Sequence, residues 1–375
     1  MTAKPTFDFY PGGARFVLDD LDREALEKPL ANGETVADAF NALFDQQVRR
    51  LERDDTYREL LRDTYRAAGV NLVSPTMWSF GNDARAVSHS DDQTRVLGRW
   101  QARFDAVDWL RKATGPAVAR EIVADDDVGV VLNTQNLGAD IAGDLDAIED
   151  LYNYGLRVTQ LTYNAQNDVG TGCMEAGDAG LSRFGERVLE RLNDLGIVVD
   201  CSHCSDQTRA DAIQASDAPI ALTHSFCRAL ADHPRGATDD MLESIADSDG
   251  YVGILTLPFF IAPGGDDPLE AFVEHVDHAV SILGVDNVGI GTDWGAWSLA
   301  ARDDLPPAVR EGVAQTYAAI GFTDGAESIG TGFDAMEDYT DWPVLLEALR
   351  EAGYSAAEVR RLAGENFLSF WDRVR

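Results

Sequence analysis

Two histidines, His203 and His224, are the side chains of this 375-residue sequence best suited to chemistry. Each follows a short apolar run, residues 197–199 before the first and residues 220–222 before the second. Between the runs lie about a dozen residues of helical character, enough for one crossover between parallel strands. Two strands joined in this way would present both imidazoles at one rim of a sheet, where they could hold a metal or move a proton.

Polar side chains also follow other predicted strands, where parallel α/β proteins build their sites. These are Gln135, Tyr163, Asn164 and Asp293. Two histidines and an aspartate are ligand types that a divalent metal favours. Arg235 follows soon after His224 and could hold a substrate carboxylate through two hydrogen bonds, with a surface ion pair as the alternative. Any one of these side chains could be an ordinary solvated group, but their positions after separate strands predict a common site.

Apolar runs and amphipathic segments alternate along the chain, which favours a parallel sheet with helices packed around it. Helices are predicted over residues 36–68, 91–114, 145–154, 186–195, 241–247, 271–283, 342–353 and 355–371, and strands over residues 70–76, 128–133, 157–161, 197–199, 220–222, 251–256 and 288–291. No phosphate-binding glycine motif follows a strand, which disfavours nucleotide-binding folds. We therefore predict an α/β protein with a (β/α)8 TIM-like barrel, a single domain over residues 1–375 with long loops at about 162–182 and 295–340.

The charge of the chain excludes several partners. It carries 65 acidic against 31 basic residues, a formal net charge of -34, which argues against binding nucleic acid or anionic membranes. The only lysines are Lys4, Lys28 and Lys112. An acid-rich, lysine-poor surface is typical of proteins from salt-loving organisms, where molar salt screens the repulsion. The sequence shows no membrane span and no signal peptide, so we predict a cytoplasmic protein.

The cysteines and the remaining histidines are interpreted as structural. Four cysteines are too few and too irregularly spaced for a disulfide framework. Cys201 and Cys204 could form a redox or zinc pair, but small buried thiols beside His203 are the preferred interpretation. His275 and His278, one helical turn apart, are interpreted as part of a solvated helix face.

Five ordered motifs of the chain resemble the membrane (renal) dipeptidase family, peptidase family M19. They are DCSHCSDQT at residues 200–208, PIALTHS at 219–225, DHPRGATDD at 232–240, VGIGTDW at 288–294 and GENFLSFW at 364–371. The resemblance implies a barrel of the metal-dependent hydrolase type that cleaves the amide bond of a dipeptide or similar small acyl-amino acid, usually with two zinc ions. It implies that His203 and His224 bind metal. It also implies that Arg235 holds the substrate carboxylate and that Asp293 orients the attacking water or takes its proton.

The sequence departs from this family at three places. The first strand of the family ends in His-x-Asp, whereas the corresponding region, residues 6–13, contains no histidine. A bridging glutamate is replaced by Gln135, whose neutral amide cannot bridge two dications as a carboxylate does. A substrate-contacting histidine is replaced by Tyr163, whose phenol can still donate to an oxyanion. We therefore predict one bound zinc ion, with two as the alternative.

The glycine-rich segment at residues 168–180 offers a replacement carboxylate, Glu175. We predict that His203, His224 and Glu175 hold the ion, with Asp293 as an alternative third ligand. The competing interpretation of Glu175 is a solvated loop acid. The predicted catalytic residues are Asp293 and Tyr163, and the predicted substrate-binding residues are Arg235, Asn164 and Gln135.

The leading hypothesis is a hydrolase of a dipeptide or similar carboxylate-bearing amide, in which a metal-activated water attacks the carbonyl. The expected partner is a small molecule or dipeptide substrate, without nucleic acid or membrane, and the resemblance allows a homodimer because family members often dimerise. One alternative is a barrel that has lost hydrolysis and binds a small ligand. Another is a hydrolase of a non-peptide amide or a lactone.

Overall fold

The computed structural model describes residues 4–10, 19–75, 90–294, 307–308, 310–311 and 333–374. Its strands are β1 (Phe7–Phe9), β2 (Leu72–Ser74), β3 (Leu110–Lys112), β4 (Val128–Val130), β5 (Leu132–Thr134), β6 (Leu156–Gln160), β7 (Val198–Asp200), β8 (Ala221–Ser225), β9 (Tyr251–Ile254) and β10 (Val288–Ile290). Its α-helices are α1 (Asp20–Ala31), α2 (Val36–Arg53), α3 (Asp55–Ala68), α4 (Ser90–Ala106), α5 (Pro116–Ala124), α6 (Leu137–Ile141), α7 (Asp146–Tyr154), α8 (Arg183–Leu195), α9 (Asp206–Ala215), α10 (Asp239–Asp247), α11 (Pro258–Ile261), α12 (Pro268–Leu283), α13 (Pro343–Glu351), α14 (Ala356–Arg360) and α15 (Asn366–Val374). Short 3-10 helices lie at Asp334–Met336 and Tyr339–Asp341, and a π-helical turn lies at Arg361–Glu365.

The strands pair in parallel and form two sheets that join into a ring. Their orders are β1-β2-β4-β3 and β10-β9-β8-β7-β6-β5. Only Val131 separates β4 from β5, so one sheet continues into the other along the chain. At the opposite edge, the Asp293 N–H donates to the Phe9 carbonyl at 3.1 Å, and the Thr292 N–H donates to the Asp8 carboxylate at 2.9 Å. The ends of β10 and β1 therefore lie side by side, and the predicted α/β barrel is confirmed.

Apolar side chains from the strands form a buried cluster with the C-terminal helix. Its strand members include Phe7, Phe9, Leu72, Val158, Val198, Ala221 and Tyr251. On α15, the ring of Phe367 lies 4.3 Å from the ring of Phe7 and 4.7 Å from that of Phe9. Burying a phenylalanine side chain contributes about 1.5–3 kcal/mol. The contacts of Phe7 and Phe9 with Phe367 therefore hold β1, a strand of only three residues, against α15.

Gly364 allows the C-terminal helices to approach β1. The helical path is interrupted there, between α14 and α15, with φ at 170°. A Cβ at this position would lie 2.8 Å from the Phe7 nitrogen and 2.8 Å from the Pro5 oxygen. A side chain would therefore push β1 away from the helices. Ser355 and Glu358 form a capping box at the start of α14.

Two short strands were not predicted from the sequence. Residues 110–112, predicted as the end of a helix over residues 91–114, form β3 in parallel pairing with β4. The apolar residues keep a helical spacing there, but pairing with a neighbouring strand decides the structure. β1 has too few residues to show an alternating or continuous apolar pattern.

The predicted loop at 162–182 is the connection between β6 and α8. Every residue in it is described, and it contains isolated bridges from Gly170 to Leu181 and from Gly172 to Cys204 instead of a helix or an extended strand. Most of the second predicted loop, at 295–340, lies outside the described residues. No helix in the described part of the chain is both long and apolar enough to cross a membrane.

Candidate active site

His203 and His224 face one another where two neighbouring strands end. His203 lies in the turn after β7, and His224 lies within β8. Both side chains are buried, and their Nε2 atoms are 3.1 Å apart. Burial lowers the pKa of each imidazole well below its ordinary value, and the nearby Arg235 guanidinium lowers both further. Both rings are therefore neutral at pH 7.

Asn164 fixes the protonated nitrogen of His203. The Asn164 Oδ1 lies 2.7 Å from His203 Nδ1 and also accepts from the Cys173 thiol at 3.5 Å. An amide oxygen only accepts, so the hydrogen of the neutral His203 ring is on Nδ1. The Nε2 of His203 therefore presents a lone pair towards His224. Asn164 has a φ of 58°, a left-handed conformation that asparagine tolerates better than most residues.

Tyr163 stacks on His203. Their ring centroids are 4.3 Å apart with an interplanar angle of 27°. The tyrosine is buried, so this contact restrains the tilt of the imidazole. Gln135 is also buried and directly follows β5, at the same rim of the barrel.

Two fully buried arginines hold the backbone around the histidines. Arg235 donates to the Ser202 carbonyl at 2.5 Å and to the His224 carbonyl at 2.6 Å. Arg209, which the sequence analysis missed, donates to the carbonyls of Cys201, Ser202, Arg235 and Gly236. Within the described residues, the buried Arg235 Nε has no hydrogen-bond partner. The Nε–H of Arg235 is therefore left to donate to a bound group.

Asp293 follows β10 and is held by the first strand. Its N–H donates to the Phe9 carbonyl at 3.1 Å, and its φ is 54°. Burial raises the pKa of Asp293 to about 7; the Arg235 guanidinium opposes this shift, and the carboxylates of Asp8 and Asp200 add to it. A carboxylate with a pKa near neutrality can both take and return a proton at pH 7.

Asp8 on β1 supports the segment that carries Asp293. One Asp8 oxygen accepts from the Thr292 N–H at 2.9 Å. The other accepts from the Thr292 hydroxyl at 2.9 Å and from the Tyr339 hydroxyl at 3.0 Å. Burial raises the pKa of Asp8 to about 7, although these hydrogen bonds oppose the shift.

Replacing Asp8 with asparagine should change how stability depends on pH. The pKa of Asp8 is raised in the folded state, so its contribution to stability is complete below about pH 4 and is lost as the pH rises through about 7. Asparagine does not titrate, so the variant does not lose this stability as the pH rises. Relative to wild type, the free energy of unfolding of Asp8→Asn should therefore rise from pH 5 to pH 8. The rise is at most about 3 kcal/mol, because two pH units separate pH 5 from the folded-state pKa of about 7 and each unit contributes about 1.36 kcal/mol. Urea unfolding at both pH values measures this, and an equal difference at the two would contradict it.

Asp200 and Tyr10 lie against His224, and the sequence analysis missed both. The Asp200 Oδ2 is 3.8 Å from His224 Nδ1. The Tyr10 ring centroid is 4.1 Å from that of His224, and the phenol donates to Asp200 at 3.1 Å. The position of Asp200, directly after the apolar run at residues 197–199, was a usable signal. No sequence signal pointed to Tyr10, because 190 residues separate it from Asp200.

The structure does not bring Glu175 to the histidines. Its side chain is exposed and accepts from the backbone N–H groups of Gln166 and Ala176 at 3.2 and 3.4 Å. Among the described residues, no three histidine, cysteine, aspartate or glutamate side chains are grouped to hold a metal ion. The predicted third ligand, Glu175, therefore does not lie beside the imidazole pair.

The geometry of the imidazole pair fits two ligands of one metal ion. Two nitrogen ligands about 2.0–2.1 Å from a tetrahedral zinc ion are about 3.3 Å apart. The Nε2 atoms of His203 and His224 are 3.1 Å apart. Both rings are neutral, as metal ligation requires. Gln135 and Asp293 supply oxygen atoms at the same rim.

The predicted solvated position of His275 is wrong. The side chain is fully buried, its Nδ1 accepts from the Cys227 N–H at 3.1 Å, and its Nε2 lies 3.3 Å from the Ile261 carbonyl. Burial lowers its pKa to about 4. His278, one turn away, is only partly buried and lies 2.8 Å from Asp239. His275 thus connects the backbone around β8 to α11 and α12.

Comparison with known proteins places the chain in a family. A family model for membrane dipeptidases, peptidase family M19, matches residues 43–303. An uncharacterized dipeptidase of Schizosaccharomyces pombe is 28% identical over 235 residues, which are 62% of this chain and 50% of that protein. The chain thus spans about half the length of this curated relative.

Two solved structures share the fold. An amidohydrolase from Pseudomonas aeruginosa is 24% identical over 84% of this chain and 92% of its own, with a TM-score of 0.69. A metallo peptidase from Rhodobacter sphaeroides is 19% identical over 100% of both chains, with a TM-score of 0.71. With the family match over residues 43–303, these comparisons lead to one conclusion: the chain belongs to the membrane dipeptidase family, peptidase family M19.

Proposed function

We propose that this protein is a metal-dependent hydrolase that cleaves the amide bond of a dipeptide or a similar small amide with a free carboxylate. The observation that carries the proposal is the buried, neutral pair formed by His203 and His224, with Nε2 atoms 3.1 Å apart. Membership of the dipeptidase family supports the same reaction class. We further propose that the metal is zinc and that one ion binds, because Glu175 is turned away and Gln135 is neutral.

His203 and His224 would hold the ion through their Nε2 atoms. When bound, zinc lowers the pKa of a water molecule and polarises a carbonyl group. Asp293 takes a proton from the attacking water and returns it to the leaving amine, a role that its pKa of about 7 supports. The Tyr163 hydroxyl donates to the oxyanion that forms at the carbonyl oxygen.

Arg235 is the proposed partner of the substrate carboxylate. Each terminal nitrogen already donates to a backbone carbonyl, and the buried Nε has no partner among the described residues, so Nε is the proposed donor to the carboxylate. A buried charged donor makes a stronger hydrogen bond to a carboxylate than an exposed one. Asn164 and Gln135 are proposed as further contacts to the substrate, at the same rim.

The second candidate function is a barrel that binds a small ligand without hydrolysing it. One observation favours it: the described residues hold no group of three histidine, cysteine, aspartate or glutamate side chains suited to a metal. The two functions differ in metal content and turnover.

The deciding experiment measures zinc content and dipeptide hydrolysis on the full chain, at low and at molar salt because of the net charge of -34. The Rhodobacter peptidase was solved with a phosphinate mimic of L-Ala-D-Ala, so this dipeptide is the first substrate to test. We expect about one equivalent of zinc, hydrolysis of L-Ala-D-Ala and little hydrolysis of its C-terminal amide. No zinc, and no turnover when zinc is supplied, would overturn the proposal in favour of the binding barrel. Two equivalents would overturn the single-ion assignment.

A further inference from the structure

Thr223 connects His224 to Asp200. The Thr223 hydroxyl oxygen lies 2.9 Å from His224 Nδ1, and the hydroxyl also makes a hydrogen bond to Asp200 Oδ2. The Thr223 N–H donates to the other Asp200 oxygen at 3.1 Å. All three side chains are fully buried, so the contacts are shielded from bulk water.

Asp200 acts as an acceptor in each of its contacts. Its Oδ1 accepts from the N–H and the hydroxyl of Ser202 at 2.9 and 2.5 Å. Its Oδ2 accepts from the Tyr10 phenol at 3.1 Å. The Gln160 amide nitrogen donates to the same phenol oxygen at 2.8 Å, so the phenolic hydrogen is directed at Asp200. A carboxylate surrounded by donors in this way also takes the hydrogen of the Thr223 hydroxyl.

The hydrogen count then determines the tautomer of His224. A threonine hydroxyl has one hydrogen. When Thr223 donates that hydrogen to Asp200, its oxygen can only accept a hydrogen bond from His224. The Nδ1 of His224 must therefore supply the hydrogen of that contact. We propose that Asp200 and Thr223 are positioning residues that hold His224 as its Nδ1–H tautomer and turn its Nε2 lone pair towards His203. The purpose of this arrangement rests on the proposed metal-dependent function.

The tautomer decides whether the two histidines can accept a metal. With both hydrogens on Nδ1, the Nε2 atoms face one another at 3.1 Å as two lone pairs, and a shared cation relieves their repulsion. In the opposite tautomer, His224 would donate from Nε2 to His203. That ordinary hydrogen bond would occupy both ligand atoms.

Nitrogen chemical shifts of the histidine rings test the proposal in full-length, metal-free protein labelled with 15N-histidine. His224→Gln identifies the His224 signals among six histidines. Thr223→Val keeps the side-chain size without the hydroxyl, and Thr223→Ser keeps the hydroxyl. We expect the Nδ1–H form of His224 in wild type and in Thr223→Ser, and a substantial Nε2–H population in Thr223→Val. Zinc affinity should fall about 10–100-fold in Thr223→Val, as for other lost partners of metal-bound histidines, and stay near wild type in Thr223→Ser.

A wild-type His224 that carries its hydrogen on Nε2 would overturn the proposal. So would a Thr223→Val protein with an unchanged tautomer and unchanged zinc affinity. Failure of the proposed function gives a different pattern, in which wild-type His224 is in the Nδ1–H form but zinc does not bind. The wild-type tautomer is read with His224→Gln as the only variant, so the proposal stays testable even if Thr223→Val does not fold.

Discussion

Replacing His203 with alanine is expected to remove the bound zinc and to lower kcat/KM for L-Ala-D-Ala by roughly three orders of magnitude or more. A catalytic metal supplies several kcal/mol of transition-state stabilisation, and each 1.36 kcal/mol is a factor of ten in rate. The change also removes the donor 2.7 Å from the buried Asn164 Oδ1 and the stacking partner of Tyr163. Losing a hydrogen bond costs about 0.5–1.5 kcal/mol and truncating a buried ring leaves a cavity, so Tm should fall as well.

The matched control is His278→Ala. His278 lies on α12 and pairs with Asp239 instead of the other imidazoles. Its zinc content and kcat/KM should equal those of wild type, and the loss of a surface contact should change stability by less than about 1 kcal/mol. Circular dichroism checks that both variants are folded. A folded His203→Ala protein that keeps one equivalent of zinc would show that His203 is not a ligand.

Replacing Asp293 with asparagine is expected to lower kcat by about 10²–10⁴-fold, the usual contribution of a general acid–base group. Zinc content should stay close to that of wild type, because both imidazoles are untouched and asparagine keeps an oxygen atom at this position. The variant should also be at least as stable as wild type at pH 8. The folded-state pKa of Asp293 is raised to about 7, so the carboxylate contributes stability only at low pH and loses it as the pH rises through that value. Loss of activity with retained or increased stability separates a catalytic role from a structural one.

The pH profile provides a second measurement on the same residue. In wild type, kcat/KM should fall on the acid side because protonated Asp293 cannot accept a proton from water, with an apparent pKa below the metal-free value of about 7 because bound zinc favours the carboxylate. In Asp293→Asn this acid limb should be absent from the residual activity. If Asp293→Asn shows the same fall of kcat/KM at acid pH as wild type, the titrating group is a residue other than Asp293.

The fold was largely predictable because most barrel strands are near-continuous apolar runs bounded by polar residues. The runs before His203 and His224 became β7 and β8, and the helix between them is α9. The failures have a physical reason. β3 continues the apolar spacing of α4, and only its pairing with β4 makes it a strand. β1 depends on partners from the far end of the chain, such as Phe367, which no local pattern reveals.

The candidate site was predictable only where strands carry side chains to one rim. His203 and His224 were found because each follows an apolar run, and the structure brings their Nε2 atoms within 3.1 Å. Glu175 was chosen for its nearness in sequence, but its backbone contacts turn it outward. Asp8 and Tyr10 were missed because their partners are remote in sequence and because aspartate and tyrosine on a barrel strand have no distinguishing spacing.

The contacts of β1 have a consequence for the order of folding. Asp8 contacts Thr292 across 284 residues and Tyr339 across 331 residues. Contacts with such large separations require an entropically costly loop closure before they contribute any stability, and they form slowly. Strands β6 to β10 pair with near neighbours in sequence and can assemble earlier. We therefore expect the docking of β1 against β10 to be a late event that closes the barrel and completes the support of Asp293.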